Sequence, residues 1–174
     1  MEIIIRHANS SDLQAILDIV NDAILNTTAN YSYEPQSFEM QQKWFDLKQQ
    51  LHLPVIVAEF GHDVIGFGTY GTFRERFGYR FTVEHSVYVT PNFIGKGIGS
   101  KLLKELIRLA TAQKYHVMVG GIDADNTDSI AFHKKFGFTE CGIIKQAAFK
   151  FDRWLDLQFM QLILEDEIEL DIDN

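Results

Sequence analysis

The sequence predicts a single α/β domain, on three observations. Runs rich in β-branched and aromatic residues alternate with runs whose apolar residues recur at helical spacing. A glycine cluster joins one such strand to a helix in the run Val87-Tyr88-Val89-Thr90-Pro91-Asn92-Phe93-Ile94-Gly95-Lys96-Gly97-Ile98-Gly99-Ser100. The 174 residues, 46% of them hydrophobic, suffice for one sizeable core and require no second domain.

Along the chain, residues 3–6 read as a short strand. Ser11-Asp12-Leu13-Gln14 has the form of a capping box and opens a first helix through Leu13, Ile16, Leu17, Val20 and Ile24. The polar and aromatic stretch 26–35 is irregular and suits a lid or pocket wall. Ser37 then caps a second helix carrying Met40, Trp44, Phe45 and Leu47. Residues 55–60 and 64–70 flank Gly61-His62-Asp63 as a β-hairpin, and 81–89 form another strand. After the glycine cluster, Leu102, Leu103, Leu106, Ile107 and Ala110 mark one face of a helix, followed by a buried strand at 117–122. A short helix, 129–136, ends at Gly137 in a left-handed cap, and strands at 138–144 and 155–164 complete the domain. The domain spans 1–164, with 165–174 as an acidic tail.

The net charge of −8 argues against a partner held by phosphate neutralisation, so no nucleic acid is expected. Six acids, Glu165, Asp166, Glu167, Glu169, Asp171 and Asp173, lie in the last ten residues, which leaves only −2 on the rest. Such a run reads as a solvated terminus. Cys141 is the only cysteine, so no intrachain disulfide can form. No apolar run is long enough to cross a bilayer and the first residues lack the layout of a secretion signal, so the expected setting is cytoplasmic, with no membrane partner. His7, His52, His62, His85, His116 and His133 show no ligand-type spacing, and no metal is implied.

Gly95, Gly97 and Gly99 let a backbone approach a ligand closely, and the first amides of the helix that follows would face an anion. A phosphate cradle is the natural reading. A Walker loop or a Rossmann fingerprint starting at Gly95 would need glycine where Ser100 stands. What remains is G-x-G-x-G after a strand, which resembles the pyrophosphate loop of the GNAT superfamily of N-acetyltransferases. The order strand, helix, helix, three strands, helix, strand, helix, two strands matches that superfamily too. Thr82-Val83-Glu84-His85-Ser86-Val87-Tyr88-Val89, Gly121-Ile122-Asp123-Ala124-Asp125-Asn126 and His133-Lys134-Lys135-Phe136-Gly137-Phe138 look like its phosphinothricin and methionine sulfoximine acetyltransferases.

The resemblance implies the GNAT fold, a mixed and mostly antiparallel sheet splayed around acetyl-CoA and flanked by helices, and a homodimer. It implies sequential transfer of an acetyl group to the primary amine of a small amino-acid-like compound by direct attack. Main-chain groups of Val87, Tyr88 and Val89 would meet the pantetheine arm; amides of Gly95, Lys96, Gly97, Ile98, Gly99 and Ser100 would hold the pyrophosphate. Glu84 takes the role of general base, the alternative being a strand glutamate paired with an arginine. His133 either protonates the leaving thiolate or packs beside the cofactor, and Asn126 contacts the cofactor, caps a helix, or does both. Arg74, Arg76 and Arg80 precede Glu84 and suit the acidic end of an acceptor, Arg76 the least of the three. Tyr31, Tyr33 and Phe149 suit its apolar walls.

Two positions depart from the family pattern. Ile94 stands where a glutamine or arginine is usual, which removes a side-chain contact to phosphate and leaves Lys96 to supply charge. Phe81 stands where a histidine is frequent, which bears on acceptor choice. Acetylation of a peptide N-terminus or another metabolite amine, or a non-catalytic acetyl-CoA sensor, are the competing functions.

Overall fold

The computed structural model describes residues 2–164, and the acidic segment 165–174 lies outside the described residues. Its elements are β1 (Ile3–His7), α1 (Leu13–Asn26), α2 (Phe38–Gln50), β2 (Val55–Phe60), β3 (Asp63–Thr72), β4 (Thr82–Val89), α3 (Ile98–Ala112), β5 (Val117–Asp123), α4 (Thr127–Lys134), β6 (Thr139–Lys150) and β7 (Arg153–Ile163). The strands form one sheet in the order β1-β2-β3-β4-β5-β7-β6.

Every neighbouring pair runs antiparallel except β4 and β5, which are parallel. That contact is short: Thr82 pairs with Val117, Val83 with Met118 and Glu84 with Val119, and there it stops. β4 continues to Val89 on β3, and β5 continues to Asp123 on β7. The sheet therefore opens from Glu84 onward.

Alternation along the strands builds two cores. Ile56 and Ala58 face the buried stripe of α3, Leu102, Leu103, Leu106 and Ala110, together with Val83, Met118 and Met160. Val55, Val57 and Phe67 face Leu13, Ile16, Val20 and Ile24 of α1. α2 contributes less than its spacing suggests. Phe45 is buried, whereas Met40 and Leu47 are exposed.

The capping box lies two residues earlier than expected and closes a short 3-10 turn, Ser10–Asp12, that leads into α1 at Leu13, for an electrostatic reason. The capping box is Asn9 with Asp12: the Asn9 side chain accepts from the Ser11 amide at 2.9 Å, and Asp12 accepts from the Asn9 amide at 2.8 Å. Asp12 is fixed there by the guanidinium of Arg6, which donates to both its oxygens at 2.7 and 2.8 Å and to Glu59 at 2.7 Å. The last two strands are longer than expected because their turn, Phe151-Asp152, takes positive φ at both residues (51° and 57°) without the Asn-Gly signature. α4 starts at Thr127, where the Asn126 side chain accepts from the Ser129 amide at 3.0 Å. Ser37 caps α2 as expected, whereas α4 ends at Lys134 with Lys135 as its C-cap, earlier than expected, and Gly137 follows in the turn with φ of +86°.

Arg6 thus binds β1, β2 and the entry to α1 through one buried carboxylate, Asp12 being 5% exposed. Asp12→Ala is expected to lower unfolding stability by about 2 kcal/mol near neutral pH. Hydrogen bonding to Arg6 holds the Asp12 carboxyl below its ordinary 3.8. Its contribution is complete above that value and is lost as pH falls through the lower folded one. Urea titrations near neutral pH check this, and equal midpoints for the two proteins would contradict it.

Candidate active site

Where β4 parts from β5, a cleft of about 720 Å³ runs through the sheet. One wall is β4 from His85 to Val89 and the other is β5 from Gly120 to Asp123. The turn before α3 closes one end, with Gly95, Gly97, Ile98, Gly99 and Ser100 lining it. Asn126, Ser129 and His133 reach it from α4, and Asp22, Ala23 and Thr27 from the α1 side.

The glycines of the turn are required by conformation. Gly95 and Gly97 have φ of +80° and +78°, and an added Cβ at either would meet nothing within 4 Å. Gly97 caps α3 in the left-handed region, and the first intrahelical bond runs from Lys101 to the Gly97 carbonyl. The amides of Ile98, Gly99 and Ser100 thereby remain free for a ligand. Among the described lining residues there is no lysine or arginine, so the attraction for an anion comes from main-chain dipoles. Lys96 lies outside the lining, with its ammonium 4.8 Å from the centre of the Phe93 ring. The cradle and the length of unpaired β4 edge fit a diphosphate with an extended, amide-bearing arm.

Glu84 stands at the last paired position of β4, where the opening begins, beside the cleft and not among the residues that line it. Its β3 partner is Gly71, and an added Cβ at Gly121 of β5 would lie 3.1 Å from its Oε1. Gly121 therefore makes room for the carboxylate, whereas a Cβ at Gly71 would meet only the Lys48 ammonium, at 3.1 Å. Among the described residues it takes part in no ion pair. Burial raises its pKa from the ordinary 4.5.

His133 is buried in a pair with His85, so the two are not the isolated histidines that their spacing in the sequence suggested. Nδ1 of His133 lies 2.7 Å from the Ser129 carbonyl and must carry the proton. Its Nε2 then accepts from Nε2 of His85 at 3.2 Å, and the buried Nδ1 of His85 keeps a lone pair with no partner. Burial lowers the pKa of both rings. Gly120 is the space they need: a Cβ there would be 3.2 Å from His85 Nε2.

The three arginines do not converge. Arg74 and Arg76 line a second pocket of about 490 Å³ with Glu75 and Tyr79, while Arg80 sits over the rings of Phe77 and Phe81 at 4.3 and 4.4 Å. None of them lines the cleft. Arg74 still connects to Glu84's surroundings through aromatic edges. It rests on Phe73 and Tyr79 at 5.2 and 5.7 Å, Phe73 meets Phe159, and Phe159 borders Gly121. Tyr33 is exposed and donates to the Phe149 carbonyl, so it anchors the loop after α1 and lies outside the cleft lining. The hydroxyl of Tyr31 is buried without a partner. No group of three or more His, Cys, Asp or Glu side chains is placed to hold a metal among the described residues, and no helix there is long and apolar enough to cross a membrane.

Comparison with known proteins places this geometry. The acetyltransferase (GNAT) family pattern matches residues 16–138. The chain is 46% identical to an L-methionine sulfoximine/L-methionine sulfone acetyltransferase of Pseudomonas aeruginosa, over 92% of this chain and 94% of that one. It superposes with a TM-score of 0.93 on the Salmonella typhimurium protein yncA, solved with its cofactor acetyl-CoA, at 42% identity over 95% and 96% of the two chains. A phosphinothricin acetyltransferase of Sinorhizobium meliloti, solved with acetyl-CoA, gives 0.91 at 38% identity over 94% and 89%. With the amide cradle, the split between β4 and β5 and a match over most of its length, the chain belongs to the GNAT family and is an acetyltransferase.

Proposed function

We propose that this enzyme moves an acetyl group from acetyl-CoA to the primary amine of a small amino-acid-like acceptor of the methionine sulfoximine or phosphinothricin type, with Glu84 as general base. The observation that carries the reading is the half-buried carboxylate at the last paired position of β4, without an ion pair among the described residues, beside a cleft whose far end is a ring of free amides. Bound acetyl-CoA supplies an activated thioester. The chain's own task is to hold the diphosphate on the amides of the α3 turn, present the β4 edge to the pantetheine arm, and render the acceptor amine neutral for direct attack. A carboxylate whose pKa is raised by burial is a stronger base than an exposed one. The names of the similar enzymes from Pseudomonas and Sinorhizobium support the acceptor class.

His133 reads as a residue that packs and fixes the cleft wall. Both ring nitrogens are engaged and burial favours its neutral form, which leaves no proton aimed at a thiolate. Arg74, held against Phe73 and Tyr79 beside the wall that reaches Gly121, reads as the anchor for the acceptor's acidic group, with Arg76 secondary.

A thiol-release screen over methionine sulfoximine, methionine sulfone, phosphinothricin, amino acids, polyamines and short peptides tests the acceptor class. Turnover confined to peptides, or none at all, would overturn it. Glu84→Gln is expected to lower kcat by about 100-fold or more while leaving acetyl-CoA affinity within about threefold; unchanged turnover would remove Glu84 from the role. Arg74→Ala is expected to raise the acceptor KM by about tenfold or more, with that for acetyl-CoA unmoved. Steady-state kinetics in both substrates distinguish this from a surface arginine.

The histidine pair generates a separate expectation. Both rings titrate below their ordinary 6.5 in the folded protein. The unfolded chain therefore takes up protons that the folded chain refuses. The pair's stabilisation is present above that value and is lost as pH falls below it. The melting temperature should drop between about pH 7 and about pH 5, and less steeply in His85→Leu. Equal slopes would exclude the pair as the acid-sensitive element.

A further inference from the structure

The register that pairs Thr82 with Val117 and Glu84 with Val119 would next set His85 against Gly120, and at that step the pairing of β4 with β5 stops. The hydrogen bond between His85 and His133 lies over this first unpaired position. A Cβ on Gly120 would be 3.2 Å from His85 Nε2 and 3.4 Å from His133 Nε2, and all three residues line the cleft. His85 belongs to the β4 wall, whereas His133 belongs to α4, which follows the β5 wall in the chain. Among the described residues no other side-chain hydrogen bond joins β4 beyond Glu84 to β5 or α4.

The bond has a fixed direction. His133 gives its Nδ1 proton to the Ser129 carbonyl, so its Nε2 can only accept, and the Nε2–H tautomer of His85 is the one that meets it. With the other tautomer two lone pairs would face each other. This tautomer leaves His85 Nδ1 buried without a partner, a penalty that an apolar side chain of similar size would not carry. What the position supplies is therefore the N–H across the opening. Phe138 packs edge-on against both rings, with centroids 5.5 Å from His85 and 5.2 Å from His133, and completes the cluster.

α4 brings more to the site than His133. Asn126 at its N-cap and Ser129 in its first turn line the cleft, and Phe132 packs against the phosphate turn, 3.7 Å from where a Cβ on Gly99 would stand. Phe132 also meets the His133 ring at a right angle, with centroids 5.2 Å apart. Whatever fixes His133 therefore fixes one cleft wall and the support of the phosphate turn together. We propose that His85 is a positioning residue for acetyl-CoA, whose N–H holds His133 and so braces α4 against β4 across the opening of the sheet. The cleft is then formed before the cofactor arrives. Without the brace, binding has to order α4 first, and the affinity falls accordingly. The brace rests on the reading of His133 as a residue that fixes the cleft wall.

The test compares His85→Leu, which removes the donor and keeps the bulk, with His85→Gln, which keeps an N–H at similar reach, and with His133→Leu. Acetyl-CoA affinity is measured by calorimetry, kcat with the best acceptor from the screen, and amide hydrogen exchange on the unliganded protein. His85→Leu is expected to weaken acetyl-CoA by about tenfold while kcat at saturation stays within about threefold. The hydrogen-bonded amides of α4 should exchange about tenfold faster and those of α1 at the parent rate, which a general loss of stability would not produce. His85→Gln should keep affinity within about threefold. The double change His85→Leu with His133→Leu should lose no more affinity than either alone, because both break one contact. If His85→Leu leaves affinity and α4 exchange unchanged while His133→Leu weakens acetyl-CoA, the brace is overturned and the wall role of His133 survives. If His133→Leu instead keeps affinity and loses turnover by about 100-fold, wall and brace fall together. Equal acceleration of α1 and α4, or equal loss of affinity in His85→Gln and His85→Leu, would also overturn the brace.

Discussion

The parting of β4 from β5 after a three-residue parallel contact is the constraint on which everything else depends. Up to Glu84 the backbone groups of β4 are paired on both sides; from His85 to Val89 only the β3 side is satisfied. Unpaired strand groups facing a cleft invite an extended ligand with amides of its own, as a sheet edge invites another strand. The same divergence sets the chemistry. It ends at a residue whose carboxylate is half withdrawn from water, flanked by glycines on both neighbouring strands. A side chain at position 121 would fill the space that Glu84 and an approaching amine require. Gly120 does the same service for the opposite face, where two imidazoles cross the strand.

Charge is distributed to match. The phosphate end is lined by amide dipoles and no cationic side chain among the described residues, while Asp18, Asp22 and Asp123 appear along the lining. A full positive charge placed near the cradle would hold the diphosphate more tightly, and a turnover enzyme must also release it. Dipoles with fixed direction, set by two residues in the left-handed region, give orientation at a smaller attraction. The cations of the segment before β4 are instead spent on aromatic faces: Arg74 on Phe73 and Tyr79, and Arg80 on Phe77 and Phe81. Stacked guanidinium groups lose rotamer freedom before a ligand arrives, which lowers the entropy lost on binding.

Much of this was legible in the residues, and the exceptions share a cause. Ser37 acts on an amide three residues on and the glycine cluster acts through its own backbone, so their spacing was enough to read them. The capping box before α1 was placed two residues late because Asp12 obeys Arg6, six residues away, and Glu59, on a different strand, shares the same guanidinium. The turn at Phe151 and Asp152 carries no turn signature; pairing on both sides of it imposes the conformation. His85 was read as an isolated histidine because its meaning depends on His133, forty-eight positions later, and on the absence of a side chain at Gly120. The same holds for the arginines. Closeness in sequence placed them in one segment, but cation-aromatic contacts sent Arg80 to a different environment from Arg74.

The loop after α1 shows how far a long-range polar tie can reach. Its sequence is polar and aromatic without period, which says only that it is irregular, yet Thr27, Thr28 and Ala29 form a wall of the cleft. A wall needs a fixed position, and apolar burial does not supply it, since Leu25 and Tyr33 on either side are exposed. Two groups from the end of β6 supply it instead. The Phe149 carbonyl takes the Tyr33 hydroxyl, and the Lys150 ammonium takes three carbonyls, two of them at the end of α1, where the helix dipole favours a cation. Burial lowers the Lys150 pKa, but deprotonation would remove one of its three donors and leave a carbonyl unmatched, so the ammonium form and the loop position support each other. The geometry of this cleft wall therefore depends on a lysine at the far edge of the sheet, and a change there reaches the cleft through the loop after α1.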